Sequence, residues 1–407
     1  MSAVRVLLTE GSSLTSREVV TCLGPVGYHL EVLDPDPICL TRFSRWVHKV
    51  HRCPSAAADP MGYLKMLETV VVQRGIDVVL PTHEQAWLLA IASPLLSDVP
   101  VAVADAGAFE QVQSKVAFAG LLDELGLPQP DWRLVASSRD LTDLSFPYWL
   151  KAAFGTAGQG VREVVDTRSR DEALDALLSQ GESVMAQAPA AGQYGQVQGL
   201  FDRGRLLAVH TSVQTGVGVG GSAAARLGVD HGAPREHITL LGRQLGWHGG
   251  LTLDYLHQNG SPRYLECNPR TIEPANAAAS GVNIPDLQVR LTLGEEQAQA
   301  PRRGRSGVRT HGTIALLLGA AARGGSRRSQ IGEIADAIMH RGLYEQSTEQ
   351  LTPVLRDPPS LAPAAFIAAR LLISPQNAAL IAKQAVSSYS LDPKTLEQVA
   401  RVSVSTP

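Results

Sequence analysis

Cysteine is scarce in this chain. The 407 residues hold four, Cys22, Cys39, Cys53 and Cys267, and no C-x-x-C spacing among them, which excludes a disulfide scaffold and points to a reducing compartment. Charge of one sign is also lacking: 36 Lys and Arg face 39 Asp and Glu, a net charge of −3. The bulk positive field of a nucleic-acid binder is therefore missing. Arginines do gather at 302, 303, 305, 309, 323, 327 and 328, but no aromatics are interleaved, so the stretch reads as a solvated linker. No run approaches the roughly 20 apolar residues of a membrane span, and the apolar run at the start is too short for a signal peptide. Two phosphate-binding motifs are missing as well, G-x-G-x-x-G after the first strand and G-x-x-x-x-G-K-[ST] anywhere, which disfavours a dinucleotide oxidoreductase and a Walker-type NTPase. What remains is a small-molecule partner, no nucleic acid, no membrane, a cytoplasmic location and, by default, a homodimer.

What the chain has is apolar content, 44% hydrophobic with 18% charged, enough for a large core, so disorder and fibrous repeats are excluded. Its length suits two or three domains. Strands are expected at 4–8, 29–33, 76–80 and 99–103, and helices from Thr15 toward Leu23, over 61–74 and over 84–92, with Thr15 and Glu18 as a capping box. That alternation predicts a parallel, doubly wound α/β sheet. Gly11-Ser12-Ser13 forms a turn able to receive an anion. Leu127-Pro128-Gln129-Pro130 closes this unit, glycine-rich strands follow to about residue 300, and a helical remainder carries a proline-broken loop at 353–363.

Chemistry concentrates in two segments. Leu251 to Arg270 reads as two strands joined around Asn259-Gly260. A three-residue loop at 259–261 makes Asp254 face Glu266, with Asn268 on the same side two residues on. Like charges so opposed repel, and a hard divalent cation with open positions for phosphate oxygens offsets the repulsion; an exposed edge with two solvated acids is the equally weighted plain alternative. Upstream, Lys151 ends an apolar strand, and Gly155, Thr156, Gly158 and Gly160 follow in a loop whose N–H groups can approach an anion. Pro81-Thr82-His83-Glu84 ends the strand 76–80, where parallel sheets present ligands, which makes His83 and Glu84 substrate candidates, with Thr82 as a plain helix N-cap the somewhat favoured alternative. The second glycine loop, Gly216 to Ser222, leads to Arg226 and could line an acceptor pocket.

Taken in order, Lys115, Lys151, the glycine loop, Asp254 and Glu266-x-Asn268-Pro-Arg270 make residues 1–300 resemble the ATP-grasp superfamily of ATP-dependent carboxylate–amine or carboxylate–thiol ligases. The resemblance implies a Rossmann-like domain at 1–110, an ATP-grasp domain at 111–300 with a mobile lid over about 135–190, and a C-terminal, mainly helical extension at 301–407. It implies that Lys115 and Lys151 contact ATP phosphates and that the loop 155–160 closes over them. Asp254, Glu266 and Asn268 would hold two Mg²⁺ ions, with Mn²⁺ as a substitute, and Arg270 would steady the transferring phosphoryl group. The base would lie against Val184 to Ala190, read by backbone groups of Ala188 and Ala190 beside Gln187, which stands where a glutamate is common. The expected activity is phosphorylation of a carboxylate substrate and its coupling to an amine. The alternatives are bicarbonate-dependent carboxylation of the biotin carboxylase kind and a non-catalytic ATP-binding role.

Overall fold

A computed structural model describes residues 3–96, 98–155, 160–179, 181–378, 380–381, 391 and 393–405. Three sheets organise it. The first is parallel, with strands β1 (Arg5–Leu8), β2 (His29–Asp34), β3 (Val47–Arg52) and β4 (Val78–Leu80) in the order β3-β2-β1-β4. Val6, Leu8, Val32 and Val78 are fully or almost fully buried in it, as befits strands covered on both faces. Helix α1 (Leu14–Leu23) packs on one side and α2 (Pro60–Arg74) on the other. Helix α2 starts where Asp59 accepts from the Gly62 N–H with Pro60 next in line, and stops at Gly75, whose φ of 59° only glycine adopts freely.

Two expectations fail in this unit, and one strand stands where none was expected. Helix α1 is capped by Ser13, which accepts from the Ser16 N–H, so Thr15 and Glu18 form no capping box. Residues 99–103 form no strand; a single rung, Val79 N–H to the Pro100 carbonyl at 2.8 Å, is what remains. β3 takes the opposite edge, unannounced because its pattern, Val-His-Lys-Val-His-Arg, does not alternate. The Gly11-Ser12-Ser13 turn does receive anions, but they are the chain's own: Gly11 N–H donates to Asp34 at 2.7 Å, and Ser12 and Ser13 N–H donate to Glu10 at 2.8 and 2.9 Å.

The second sheet is antiparallel, from β5 (Trp132–Val135), β6 (Tyr148–Ala152), β7 (Val161–Val164) and β8 (Val184–Gln187) in the order β5-β8-β6-β7. Its own small core of Leu150, Val164, Leu174 and Leu177 seats the helix Thr167–Leu178.

The third sheet has eight strands. β9 (Gln193–Asp202), β10 (Arg205–Val217), β11 (Ala223–Val229), β12 (Gly249–Gln258) and β13 (Ser261–Asn268) make its antiparallel body. β14 (Arg302–Arg303), β15 (Arg309–His311) and β16 (Ser347–Glu349) extend it, so part of the expected 301–309 linker is woven into the sheet. One face buries Val197, Val209, Leu253 and Tyr255 with the helix Gly232–Gln244. The other face is a row of polar side chains: Asn268, Thr252, Gln198 and His210 along one ladder line, Glu266, Asp254, Gln196 and Ser212 along the next.

The C-terminal part is mainly helical. Helix Pro393–Ser405 returns to the first unit, burying Leu396 and Val399 against α2 and its neighbours. No helix among the described residues is long and apolar enough to cross a membrane.

Candidate functional site

Asp254 and Glu266 are direct partners across β12 and β13. The turn between them is shorter than the sequence suggests: Gln258 pairs with Ser261, leaving two residues, Asn259 at φ 50° and Gly260 at φ 83°, the conformation Asn-Gly supplies for a tight hairpin. A bulge then inserts Leu265 opposite the step from Asp254 to Tyr255 and restores the pairing. Asn268 lies on the same face and its Nδ2 donates to Asp254 Oδ2 at 3.0 Å.

Asp254 is buried, whereas Glu266 keeps 40% of its side-chain exposure. Burial, reinforced by the Glu266 charge, pushes the Asp254 carboxyl up to about 8. Its Oδ1 is buried with no hydrogen-bond partner among the described residues. An orphaned carboxylate oxygen, a second carboxylate directly opposite and an amide beside them make an oxygen donor set that suits a hard cation. No cluster of three or more His, Cys, Asp or Glu able to hold a metal occurs among the described residues, so such a cation would draw its further ligands from a bound phosphate or from water.

Lys115 pairs with Glu266, and the same acid's charge acts on Lys151. Lys115, first residue of the helix Lys115–Glu124, sends Nζ to 3.7 Å from Glu266 Oε2 and donates to the Gly155 carbonyl at 2.9 Å. Lys151, on β6, donates to Gln187 Oε1 at 2.6 Å. Burial pushes its ammonium down to about 8; Glu266 opposes the shift and Lys115 adds to it. Gly155 sits at φ 137°, Gly160 closes the loop through its carbonyl, which accepts from Ala152 N–H at 2.8 Å, and Thr156 and Gly158 lie outside the described residues. Beyond Gln187, the Ala188 N–H is already spent on the Asp131 carbonyl at 2.8 Å, and Ala190 is half-buried.

A second group of predicted residues meets at the mouth of the first sheet. His83 and Arg270 are both buried; burial and the neighbouring guanidinium hold His83 well below its usual range, so its ring is neutral. Arg270 lines a cleft with Pro81, Trp247 and Gln288. Glu84 lies elsewhere. Its buried carboxylate accepts from the Leu391 N–H at 2.5 Å, beneath the C-terminal segment.

Arg226 is buried on β11 and grips Glu273 through Nε at 3.1 Å and Nη2 at 2.6 Å. Ser222 is not with it: exposed, it donates to Val219 in a local turn. Two acids that sequence reasoning passed over complete this pocket. Glu273 stands at φ 46°, and Glu18 reaches across from α1 to accept from the Ala275 N–H at 2.9 Å. Burial and the charge of Glu273 raise Glu18 to about 8. Glu18 carried a signal, an acid on a helix otherwise buried almost throughout, but its helix position invites a capping explanation.

No protein-family model matches the chain. Over 175 residues, 39% of its length, it is 27% identical to an acetyl-CoA carboxylase of Schizosaccharomyces pombe, and over 172 residues it is 28% identical to that of Saccharomyces cerevisiae. These matches span 8% and 7% of the two relatives. Among solved structures, an L-amino acid ligase from Bacillus licheniformis superposes with a TM-score of 0.56 at 17% identity, covering 74% of this chain and 76% of that one. A biotin carboxylase from Campylobacter jejuni gives 0.57 at 16%, covering 73% of each chain, and an N5-carboxyaminoimidazole synthetase from Staphylococcus aureus, solved with ADP, gives 0.57 at 15%, covering 78% and 85%. Three enzymes named for different products share this one architecture, and what they have in common with this chain at such identities is its shape: the chain has the ATP-grasp fold.

Proposed function

We propose that the chain is an ATP- and Mg²⁺-dependent ligase that phosphorylates a carboxylate substrate and joins it to an amine, releasing ADP and phosphate. The observation that carries this reading is the pairing of Lys115 with Glu266, directly across the strands from the orphaned oxygen of Asp254, with Lys151 near enough to feel the Glu266 charge. Phosphoryl transfer needs positioning and charge neutralisation more than covalent help, and these residues offer both.

In this reading Lys115 and Lys151 bind ATP phosphates, and Asp254, Glu266 and Asn268 hold Mg²⁺. The bound ion would neutralise charge on the phosphates. Gly155 and Gly160 flank the loop that would cover them. Arg270 would steady the transferring phosphoryl group, next to a His83 that burial keeps neutral. The neutral Gln187 fixes Lys151 in place of an ion pair. Glu84, engaged by Leu391, anchors the C-terminal segment and leaves the substrate role to others.

ADP release scanned against mixtures of amino acids and other carboxylates tests the reading. Glu266→Gln should lower turnover by roughly a hundredfold while the thermal unfolding curve stays intact, since it removes a metal ligand and keeps the shape. Near-normal turnover would refute the assignment. The partial likeness to acetyl-CoA carboxylases supports a second reading, carboxylation with bicarbonate, and ADP release driven by bicarbonate without any amine would select it.

A further inference from the structure

We propose that the pocket between Glu18, Glu273 and Arg226 is the acceptor site, and that it takes a primary amine as its ammonium ion with an oxygen acceptor close to the nitrogen. This assignment rests on the ligase reading and names the substrate class that reading leaves general.

The argument is one of elimination among the pocket's polar groups. Asn276 is fully used: its Nδ2 donates to Thr310 Oγ1 at 2.9 Å and its Oδ1 meets His210 Nε2 at 2.7 Å. His311 is held by Ser347 at 2.8 Å and by Glu349 at 3.4 Å, and burial keeps it neutral. Three sets of atoms remain. Glu18 uses one oxygen on Ala275 N–H, Glu273 uses one oxygen on Arg226, and the second oxygen of each has no hydrogen-bond partner among the described residues. Arg226 is 6% exposed, lines the pocket, and its Nη1 is buried without a partner.

Glu273 offsets Arg226, and burial together with the Glu273 charge raises Glu18 to about 8, so the two carboxyls repel across the pocket and Glu18 holds its proton while the pocket is empty. A cation seated between the two carboxyls relieves that repulsion and draws the proton from Glu18, whereas an anion such as bicarbonate adds to it. An ammonium group, with three divergent N–H donors, can serve both free carboxylate oxygens at once. The free Nη1 of Arg226 then donates to an oxygen of the same ligand, which distinguishes an amino-acid-like amine from a plain alkylamine.

The experiment measures ADP release by the full chain at saturating ATP with the twenty proteinogenic amino acids as amine donors, and with ethylamine as the control. Glu18→Gln and Glu273→Gln should each raise the half-saturating amine concentration by about ten- to a hundredfold, the worth of one charge-assisted hydrogen bond. Half-saturation by ATP should not move. Glu18→Asp should recover part of the loss, and ethylamine should be a poor donor for the native protein. Unchanged amine dependence in both folded Gln variants overturns this assignment alone. Absence of amine-dependent ADP release in the native protein, despite bound ATP, overturns the ligase reading and the assignment with it. If either Gln variant fails to fold, Glu18→Asp decides, because native amine affinity in that variant sinks the assignment.

Discussion

Lys151 shows how one neutral neighbour sets the behaviour of a charge. A buried ammonium is stable only where a negative group offsets its lost hydration. Here the nearest partner is the amide of Gln187 at 2.6 Å, and burial brings the ammonium down to about 8. The sign of the consequence follows directly. Below that value Lys151 is charged and ready for a phosphate; above it the free protein carries a neutral amine and must bind a proton along with the nucleotide. ATP affinity should therefore fall as pH rises through about 8, by up to tenfold per pH unit in the limit of one linked proton. Gln187→Glu supplies the missing anion, holds the proton on Lys151 and should move the decline to higher pH. ATP titrations between about pH 7 and pH 9 measure this, and a flat profile in the native protein removes Lys151 from the phosphate site.

The hairpin formed by β12 and β13 explains why pairing could be read from sequence although the turn could not. Alternation of polar and apolar side chains fixes which residues share a face, so Asp254, Glu266 and Asn268 fall together on any register that buries Leu253 and Cys267. Loop length is a weaker signal. A three-residue loop gives the observed pairing by counting, while the chain reaches it with a two-residue turn and the bulge at Leu265. The same limit hid Glu18 and Glu273, because their meeting joins α1 to the segment after β13 and no periodicity spans that distance. It also explains β3, whose half-exposed strand has no alternation to detect. Gly260 offers a clean test of the turn. At φ 83° with open space where a Cβ would stand, Gly260→Ala meets no clash and suffers only the left-handed backbone, a cost of about 1–2 kcal/mol. Denaturant unfolding should show that loss in the midpoint, and an unchanged midpoint would mean the turn relaxes to another conformation.

Across the whole molecule the C-terminal region is tied back to the first sheet, and the tie is ionic. Arg17 on α1 and Asp357, far along the chain, meet at 2.6 Å with both side chains fully buried, and Asp357 also accepts from the Arg45 N–H at 2.7 Å. Burial lowers Arg17 from its usual value, and the Asp357 charge opposes that shift. A pair of this kind adds little net stability over apolar residues of the same size, because desolvation consumes most of the attraction, yet removing one partner strands a charge in the interior. Asp357→Ala should thus destabilise the protein by about 3–5 kcal/mol. The double variant Arg17→Met with Asp357→Leu should recover most of that loss, short of the bond to Arg45 N–H. Thermal unfolding of the three proteins distinguishes the cases. A double variant as unstable as Asp357→Ala would show that the charge pair itself contributes, and that the C-terminal region depends on it to hold Leu391 against Glu84.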